Sequence, residues 1–459
     1  MHPNRWRRGR YVAFGSVVLT LIVVAVLVAA LLADGDRTPD AALPPVPAAV
    51  TPDPGVVPVS ATAPMPTTKG LAAALAGPLA DPDLGALTGR IADALTGRQL
   101  WAQGADVPMQ PASTNKALTA AAALLTLDRE DRLTTRVVAA DQTDQPGVIV
   151  LVGGGDTTIS TAAPGTPTWY RGAALMSDLA NQVRRSGIKV TAVQVDTSLY
   201  SGPKLAPGWD PEDIEGGDIA PMESVMIDGG RVQPTTVESK RSMTPALDAD
   251  RALAAALGAD PDTVTTAPGP ATGRELASVQ SAPLMQRLTE MMNASDNVMA
   301  EAIGREVAAE LHKPLSFNGG VAAVTAALTG IGINLKGAVL RDGSGLSVDD
   351  RLTATTLDEV MSAATGSQHP QLRPMLDLLP IAGGSGTLGD RFLGDANRAT
   401  AGWLRAKTGS LTGTNALAGV VTDRSGRVLT FSFLSNGAGP TGRTAIDNLA
   451  AVLRTCGCT

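Results

Sequence analysis

Apolar and polar residues alternate along parts of this chain as in strands, and between those parts lie apolar runs typical of helices. Residues 117–125 read Ala-Leu-Thr-Ala-Ala-Ala-Ala-Leu-Leu, which combines high helix propensity with almost no polar surface. We therefore expect a buried helix there. Near the C-terminus, residues 403–410 alternate like a strand. Residues 416–422 and 428–434 are separated by a turn, which predicts a hairpin in the same antiparallel sheet.

The rest of the pattern predicts a chain in which helices and strands are mixed. Turns rich in glycine, proline and aspartate separate the segments. Further strands are expected at residues 86–93, 99–101, 134–140, 148–152, 190–195 and 339–346, the last with a tight turn that contains Asp342-Gly343-Ser344-Gly345. Further helices are expected at residues 71–79, 179–185, 247–257, 281–292, 298–311, 352–364 and 441–454.

The N-terminal part of the chain has a different composition from the rest. Residues 1–10 contain four arginines and are followed by residues 11–33, which are apolar and carry no charge. This length is typical of a membrane-spanning helix, and the arginines predict that the short tail stays in the cytoplasm. A signal peptide cleaved after Ala30 is the alternative, and in both cases most of the protein lies outside the cytoplasm. Residues 34–68, rich in proline and alanine, are predicted to be a linker.

Charge and residue inventory exclude several classes of function. The net charge is −7 and the chain has only three histidines, so a Ser-His-Asp triad or a histidine-based metal site is not expected. No basic block follows the N-terminus, which argues against binding of nucleic acid. The glycines at 153–155 lack the spacing of a phosphate-binding loop, so we expect no cofactor. Cys456 and Cys458 are the only cysteines, and they are expected either to form a disulfide or to remain free thiols.

A possible nucleophile stands at the start of the alanine-rich helix. Ser113 and Lys116 are spaced so that both side chains lie on one face, with Ser113 expected to cap the first turn. A lysine whose pKa is lowered by burial can take the proton of a serine hydroxyl. The same spacing recurs at Ser186 and Ser201, but there glycine interrupts the motif and no apolar helix follows, so we interpret both as turns.

Two further motifs carry polar side chains that can act on a substrate. Ser295 and Asn297 stand in a Ser-Asp-Asn sequence between two predicted helices, where a helix cap is the structural alternative to a site. Lys407, Thr408 and Gly409 stand on the predicted strand at 403–410. A cation and a hydroxyl beside a glycine can bind a carboxylate, whereas an exposed lysine on a sheet is the structural alternative.

Together, in this order, the three motifs resemble the signature of penicillin-binding proteins and serine β-lactamases. The long segment between Lys116 and Ser295, with its Gly-Gly-Gly-Asp turn, resembles the D-alanyl-D-alanine carboxypeptidase/endopeptidase family of class C low-molecular-mass penicillin-binding proteins. The resemblance implies an α/β fold in which helices flank an antiparallel sheet. It also implies a catalytic domain at 69–135 and 271–459, with an inserted α/β domain at 136–270. We expect removal of this insert to leave acylation by penicillin intact.

The resemblance also implies a catalytic role for four residues. Ser113 would attack the penultimate D-alanine of peptidoglycan stem peptides and become the acyl-enzyme, and Lys116 would take its proton. Ser295 and Lys407 would relay that proton to the leaving D-alanine. β-Lactams would be covalent inhibitors that acylate the same serine. The balance between carboxypeptidase and endopeptidase action is left open.

Four residues are implied in substrate binding. Asn297 would bind the peptide amide, while Thr408 and Ser410 would receive the terminal carboxylate beside Gly409. The backbone N–H groups of Ser113 and Ser410 would hold the oxyanion.

Two alternatives to a carboxypeptidase remain at this point. One is a β-lactamase, which needs a base for deacylation; the segment beginning at Glu130 lacks the asparagine of the corresponding class A motif. The other is a catalytically inactive penicillin-fold module that binds the wall.

Overall fold

Two five-stranded sheets organise the part of the chain that the structure, a computed structural model, describes, namely residues 21–28, 61–140 and 146–456. Residues 21–28 are helical, whereas the rest of the predicted anchor at 11–33 and most of the predicted linker lie outside the described residues. Among the described residues, no helix has the length and apolar character needed to cross a membrane.

The first sheet contains the strands on which the C-terminal motif lies. Its strands are β1 (Ala86–Asp93), β2 (Gln99–Gln103), β8 (Leu404–Leu411), β9 (Thr414–Thr422) and β10 (Val428–Asn436). They lie in the order β2-β1-β10-β9-β8, and every neighbouring pair is antiparallel. The hairpin prediction is confirmed, because β9 and β10 pair with each other and β8 pairs with β9.

The second sheet lies in the segment between the first two motifs. Its strands are β3 (Thr134–Ala139), β4 (Val148–Val152), β5 (Ala192–Asp196), β6 (Thr265–Thr266) and β7 (Glu275–Gln280). They lie in the order β6-β5-β4-β3-β7; β3 pairs antiparallel with β4 and β7, and the pairs β4–β5 and β5–β6 are parallel. The sequence pattern did not predict β6 or β7.

All eight helices predicted after the linker are found, with ends within three residues of the predicted ones. Three helices in the described part of the chain were not predicted. Two of them, at residues 212–216 and 375–378, are too short to show a helical period, and the alanines and glycines of the third, at residues 317–330, give little amphipathic contrast. The helices are α1 (Thr68–Leu79), α2 (Lys116–Thr126), α3 (Met176–Arg185), α4 (Glu212–Gly216), α5 (Pro245–Leu257), α6 (Leu284–Ala294), α7 (Asn297–Glu310), α8 (Phe317–Gly330), α9 (Ala354–Thr365), α10 (Met375–Leu378) and α11 (Gly442–Thr455).

Both faces of the first sheet are covered by helices, as its alternating residues require. On one face, Leu417, Phe431 and Phe433 belong to the core formed with α1 and α11. On the other face, Ala416 and Ala418 belong to the core that contains α2, α7 and α9. The two faces of β9 thus contribute to two different cores, and α2 is buried in the core that contains Ala416 and Ala418.

One strand prediction is wrong. Residues 339–346 form no strand; Val339 makes only an isolated bridge with Arg351. The tight turn predicted with this strand is present: the side chain of Asp342 accepts the backbone N–H groups of Gly345 (2.6 Å) and Ser347 (2.8 Å). This turn occupies the residues that a strand would need.

Candidate active site

Ser113 lies in a 3₁₀ turn, Ala112–Asn115, that leads into α2. The expectation that Ser113 caps the helix is wrong, because Pro111 holds the cap position of the 3₁₀ turn and Asn115 that of α2, which begins only at Lys116. In a 3₁₀ turn the side chains at i and i+3 eclipse each other, which brings Ser113 directly beside Lys116. Ser113 is half-buried, whereas Lys116 is fully buried, so a substrate can reach the serine without reaching the lysine first.

The Lys116 amine has three hydrogen-bond partners that fix its position. Its Nζ lies 2.9 Å from Ser113 Oγ, 2.5 Å from Asn297 Oδ1 and 2.9 Å from the Ser344 carbonyl oxygen. Burial lowers the pKa of Lys116 to about 8, although nearby carboxylates, Asp342 foremost, act in the opposite direction. The amine can therefore lose its proton near neutral pH while it remains in contact with the serine hydroxyl.

The joint between α6 and α7 presents the second motif. Ser295 closes α6 in the left-handed conformation (φ 58°), and Asp296 then caps α7 by accepting the N–H of Met299 (2.8 Å). Asp296 also accepts a hydrogen bond from the Tyr170 hydroxyl (2.7 Å). The cap interpretation is thus correct for Asp296. Because Asp296 caps the helix, the flanking side chains can contact the two lysines: Ser295 contacts Lys407, and Asn297 contacts Lys116.

Asn297 connects the lysine to the segment between the first two motifs. Its Oδ1 accepts a hydrogen bond from Lys116 Nζ, and its Nδ2 donates to the backbone carbonyl of Asp218 (3.0 Å). Tyr170 and Asp218 both come from this segment, and neither was found from the sequence. No local pattern marks them, since each acts through a single contact with a residue about 80 or more positions away.

Lys407 is fully buried on β8, on the face that points toward the α6–α7 joint. Its Nζ donates to Ser295 Oγ (2.9 Å) and to the Thr408 carbonyl (3.0 Å). Burial lowers the pKa of Lys407 well below its ordinary value, with Lys116 and Arg391 as further causes. The alternative of an exposed sheet lysine is therefore wrong. Lys116 contributes to the lowered pKa of Lys407, whereas the pKa of Lys116 itself is lowered mainly by burial.

The remaining predicted residues follow along the same strand. The Thr408 hydroxyl shares a hydrogen bond with the hydroxyl of Thr387 (2.8 Å), a neighbour that the sequence did not suggest. At Gly409, a Cβ atom would lie 2.6 Å from the Pro111 carbonyl oxygen, so glycine is needed for β8 to pack against the 3₁₀ turn. Ser410, next along the strand, is exposed.

The structure thus places two hydroxyl–amine pairs beside β8: Ser113 with Lys116, and Ser295 with Lys407. The end of β8 at Ser410 is exposed. An amine of lowered pKa beside a hydroxyl can activate it as a nucleophile toward a carbonyl carbon. Backbone N–H groups at the edge of a strand and at a turn can stabilise the oxyanion that forms. The arrangement needs neither histidine nor a bound cofactor and suits transfer of an acyl group to the first serine.

An antiparallel sheet between helical layers, with the nucleophile at the start of a central helix, defines the fold of penicillin-binding proteins and serine β-lactamases. Penicillin binding protein 4 (dacB) from Haemophilus influenzae has this fold, with a TM-score of 0.66, 23% identity, and coverage of 84% of this chain and 98% of that chain. The same protein has also been solved in a complex with a β-lactam (TM-score 0.61, 22% identity, coverage of 83% of this chain and 97% of that chain).

Family models extend the similarity from the fold to the sequence. The D-Ala-D-Ala carboxypeptidase 3 (S13) family model matches residues 71–242 and 237–455, and the chain belongs to this family. A second model, described as the N-terminal domain of carboxypeptidases similar to Rv3627c, matches residues 1–58. The protein is therefore a serine-type D-alanyl-D-alanine carboxypeptidase, which confirms the predicted fold, family and enzyme class. Its action on peptidoglycan takes place outside the cytoplasm.

Two relatives are similar over their full length. Carboxypeptidase DacB of Mycolicibacterium smegmatis is 67% identical over 460 residues, and carboxypeptidase Rv3627c of Mycobacterium tuberculosis is 61% identical over 461 residues. In both cases the similarity covers 100% of this chain and 100% of the relative.

Proposed function

We propose that Ser113 is the nucleophile of this carboxypeptidase and that Lys116 is its general base. The observation that carries the proposal is the 2.9 Å contact between Lys116 Nζ and Ser113 Oγ, made by an amine with no exposed surface. Because burial lowers the pKa of Lys116 to about 8, a useful fraction of the amine is neutral near neutral pH. In this form its lone pair can accept the serine proton.

The reaction proceeds by two acyl transfers. Ser113 Oγ bonds to the carbonyl carbon of the penultimate D-alanine while its proton passes to Lys116. The bond to the terminal D-alanine nitrogen then breaks. Ser295, held 2.9 Å from Lys407 Nζ, gives its hydroxyl proton to the leaving amine and receives in return, through Lys407, the proton that Lys116 took from Ser113. Water subsequently attacks the ester, which releases the shortened peptide and restores the Ser113 hydroxyl.

Backbone and side-chain donors hold the substrate during these steps. The N–H groups of Ser113 and Ser410 stabilise the oxyanion, each contributing about 3 kcal/mol to lowering the barrier. Lys407 and the hydroxyls of Thr408 and Ser410 receive the terminal carboxylate at the accessible end of β8. Asn297 already uses one acceptor and one donor position within the protein, so it binds the peptide amide through the donor and acceptor positions that remain.

A Ser113→Ala variant tests the nucleophile. We expect it to release no D-alanine and to form no stable adduct with fluorescent penicillin, while it retains its melting temperature. Ser186→Ala and Ser201→Ala, which change the same spacing in turns, are matched controls and should label normally. Adduct formation by Ser113→Ala would contradict the assignment, and rapid loss of label from the unmodified protein would indicate a β-lactamase. A protein that never labels would indicate an inactive wall-binding module.

The domain organisation is also a proposal. We infer that residues 136–270 form an insert in a catalytic domain of residues 69–135 and 271–459. Support comes from the antiparallel pairing of β3 with β7, which places the two ends of this segment side by side. Limited proteolysis should cut first in the exposed stretches that flank the paired strands, at residues 128–132 and 272–275. Cleavage throughout the catalytic domain at the same rate would contradict the division.

The N-terminal segment is proposed to be a single-pass anchor at residues 11–33, preceded by a cytoplasmic tail at 1–10 and followed by a linker at 34–68. The apolar, uncharged composition of 11–33 supports this proposal. Full-length protein should stay with the membrane fraction after a high-salt wash. A version beginning at residue 61 should be released, and recovery of both in the soluble fraction would contradict anchoring.

A further inference from the structure

A tight turn at residues 342–345 lies directly behind the first residues of α2. Three successive carbonyl oxygens of this turn each accept a hydrogen bond from a side chain of the α2 region. The pairs are Asp342 with Asn115 Nδ2 (3.1 Å), Gly343 with Thr119 Oγ1 (2.7 Å) and Ser344 with Lys116 Nζ (2.9 Å). At Gly345 (φ +81°), a Cβ atom would lie 1.9 Å from the Ala112 carbonyl oxygen, so the turn also touches the backbone that precedes the nucleophile.

The N–H groups of the same turn are held by one carboxylate from α7. Glu301 Oε1 accepts the N–H of Gly343 (2.9 Å) and the N–H of Ser344 (2.8 Å). Glu301 is buried, with 2% of its surface exposed, and its Oε2 lies 3.6 Å from Arg305 Nη1. Burial, with Asp342 as a further cause, raises the pKa of Glu301 to about 7, although Arg305 and the two N–H groups act in the opposite direction. Glu301 is therefore mostly ionised at the pH near 8 at which Lys116 loses its proton.

Glu301 therefore affects Lys116 in two ways without contacting it. The first is geometric, because the Ser344 carbonyl that holds Lys116 Nζ belongs to the peptide chain that Glu301 anchors. The second is electrostatic, since the negative charge of Glu301 raises the pKa of Lys116 against the effect of burial. Glu301 takes no part in the proposed proton transfers and bond changes at Ser113.

We propose that Glu301 is a positioning residue that holds the turn at residues 342–345 against α2 and thereby orients Lys116 toward Ser113. This inference rests on the proposed role of Lys116 as the base. Glu301 is assigned no contact with substrate, because its side chain is buried and its two oxygens face the N–H groups of the turn and Arg305.

Glu301→Gln separates the two effects when acylation by penicillin is measured as a function of pH. Loss of the negative charge lowers the pKa of Lys116, so the rate should begin to rise at lower pH than in the unmodified enzyme. Weaker anchoring of the turn should at the same time lower the plateau rate. In Glu301→Ala the anchor is lost, and the plateau should fall by about 10- to 100-fold, since a displacement of about 1 Å can cost that much.

Two sets of controls keep the effects apart. Glu306→Gln, on the same helix, removes a carboxylate that pairs with Arg287 instead, and should change neither the plateau nor the pH profile. Thr119→Val removes the hydrogen bond to the Gly343 carbonyl without changing any charge, so it should lower the plateau without shifting the profile. Thr119→Ser, which retains the hydroxyl, should restore the plateau.

The inference is overturned if Glu301→Gln has the plateau and pH profile of the unmodified enzyme. If the Glu301 variants do not fold, equal plateaus for Thr119→Val and Thr119→Ser overturn it instead. Ser113→Ala is measured alongside these variants. Adducts on Ser113→Ala would refute the proposed nucleophile, whereas absence of such adducts together with an unaltered Glu301→Gln would refute this inference alone.

Discussion

Replacing Lys407 by alanine tests how the second amine contributes to catalysis. Its Nζ donates to Ser295 Oγ and to the Thr408 carbonyl, at 2.9 and 3.0 Å, in a site with no solvent exposure. In the proposed mechanism the same amine assists the proton relay and receives the substrate carboxylate. The variant should therefore lose transition-state stabilisation and substrate binding together.

The structure sets the size of the expected loss. A hydrogen bond to a charged group typically contributes about 1.5–3 kcal/mol. Since about 1.4 kcal/mol corresponds to a factor of ten, kcat/KM should fall by about 10- to 150-fold. The loss should be larger for a D-alanyl-D-alanine peptide than for a peptide whose terminal carboxylate is amidated, because only the former offers Lys407 its partner.

Stability should change much less than activity. Folding lowers the pKa of Lys407 well below that of the unfolded chain, so the native state binds this proton less tightly. Below the ordinary lysine pKa the charge thus opposes folding, and its removal relieves that cost. The lost methylene groups act in the opposite direction, at about 0.8 kcal/mol for each buried CH₂ group. We expect these contributions largely to cancel.

The assay compares kcat/KM and the melting temperature of Lys407→Ala with those of two control variants. Lys407→Met keeps most of the buried volume and should show the same kinetic loss. Lys189→Ala removes an exposed lysine and should change neither quantity. If kcat/KM of Lys407→Ala stays within about twofold of the unmodified enzyme, the catalytic role fails, since even the weaker charged hydrogen bonds are worth more than this.

Two further predictions concern pH and the contacts of the α6–α7 joint. Acylation by penicillin should rise with pH around a midpoint near 8, because Lys116 must be neutral and its pKa is about 8; a flat rate from about pH 6 to about pH 9 would contradict this. Tyr170→Phe removes the hydrogen bond to Asp296 and should lower the stability by about 1 kcal/mol and slow acylation several-fold. Urea unfolding and penicillin labelling check this, and normal values in both would show that the contact is dispensable.

The contacts of Tyr170 and Asp218 also change one expectation drawn from the sequence. Removal of residues 136–270 was expected to leave acylation by penicillin intact. Both residues lie in that segment, and they hold Asp296 and Asn297, respectively. We therefore now expect such a deletion to slow acylation as well as action on polymeric substrate. Asp296 and Asn297 are thus held in place by a segment that the sequence alone predicts to be a separate domain.

The sequence by itself determined the elements and the motifs of this protein. Helix propensity after Ser113, capping residues at Ser295–Asn297 and strand alternation around Lys407 are local properties, encoded in residues that are neighbours in the chain. Their order was enough to predict the fold, the family and the chemistry. The strand prediction failed at residues 339–346, where the turn held by Asp342 occupies the residues that a strand would need.

Only the tertiary structure decided how strongly each group would be perturbed and by which neighbour. The lowered pKa of Lys116 results from complete burial beneath Asn297 and the Ser344 carbonyl, residues more than 180 positions away in the chain. Glu301 accepts the N–H of the same residue, Ser344, and no periodicity or motif in the sequence predicts this contact. Burial and pKa depend on which distant segments pack together, and a local pattern of residues carries no information about that packing.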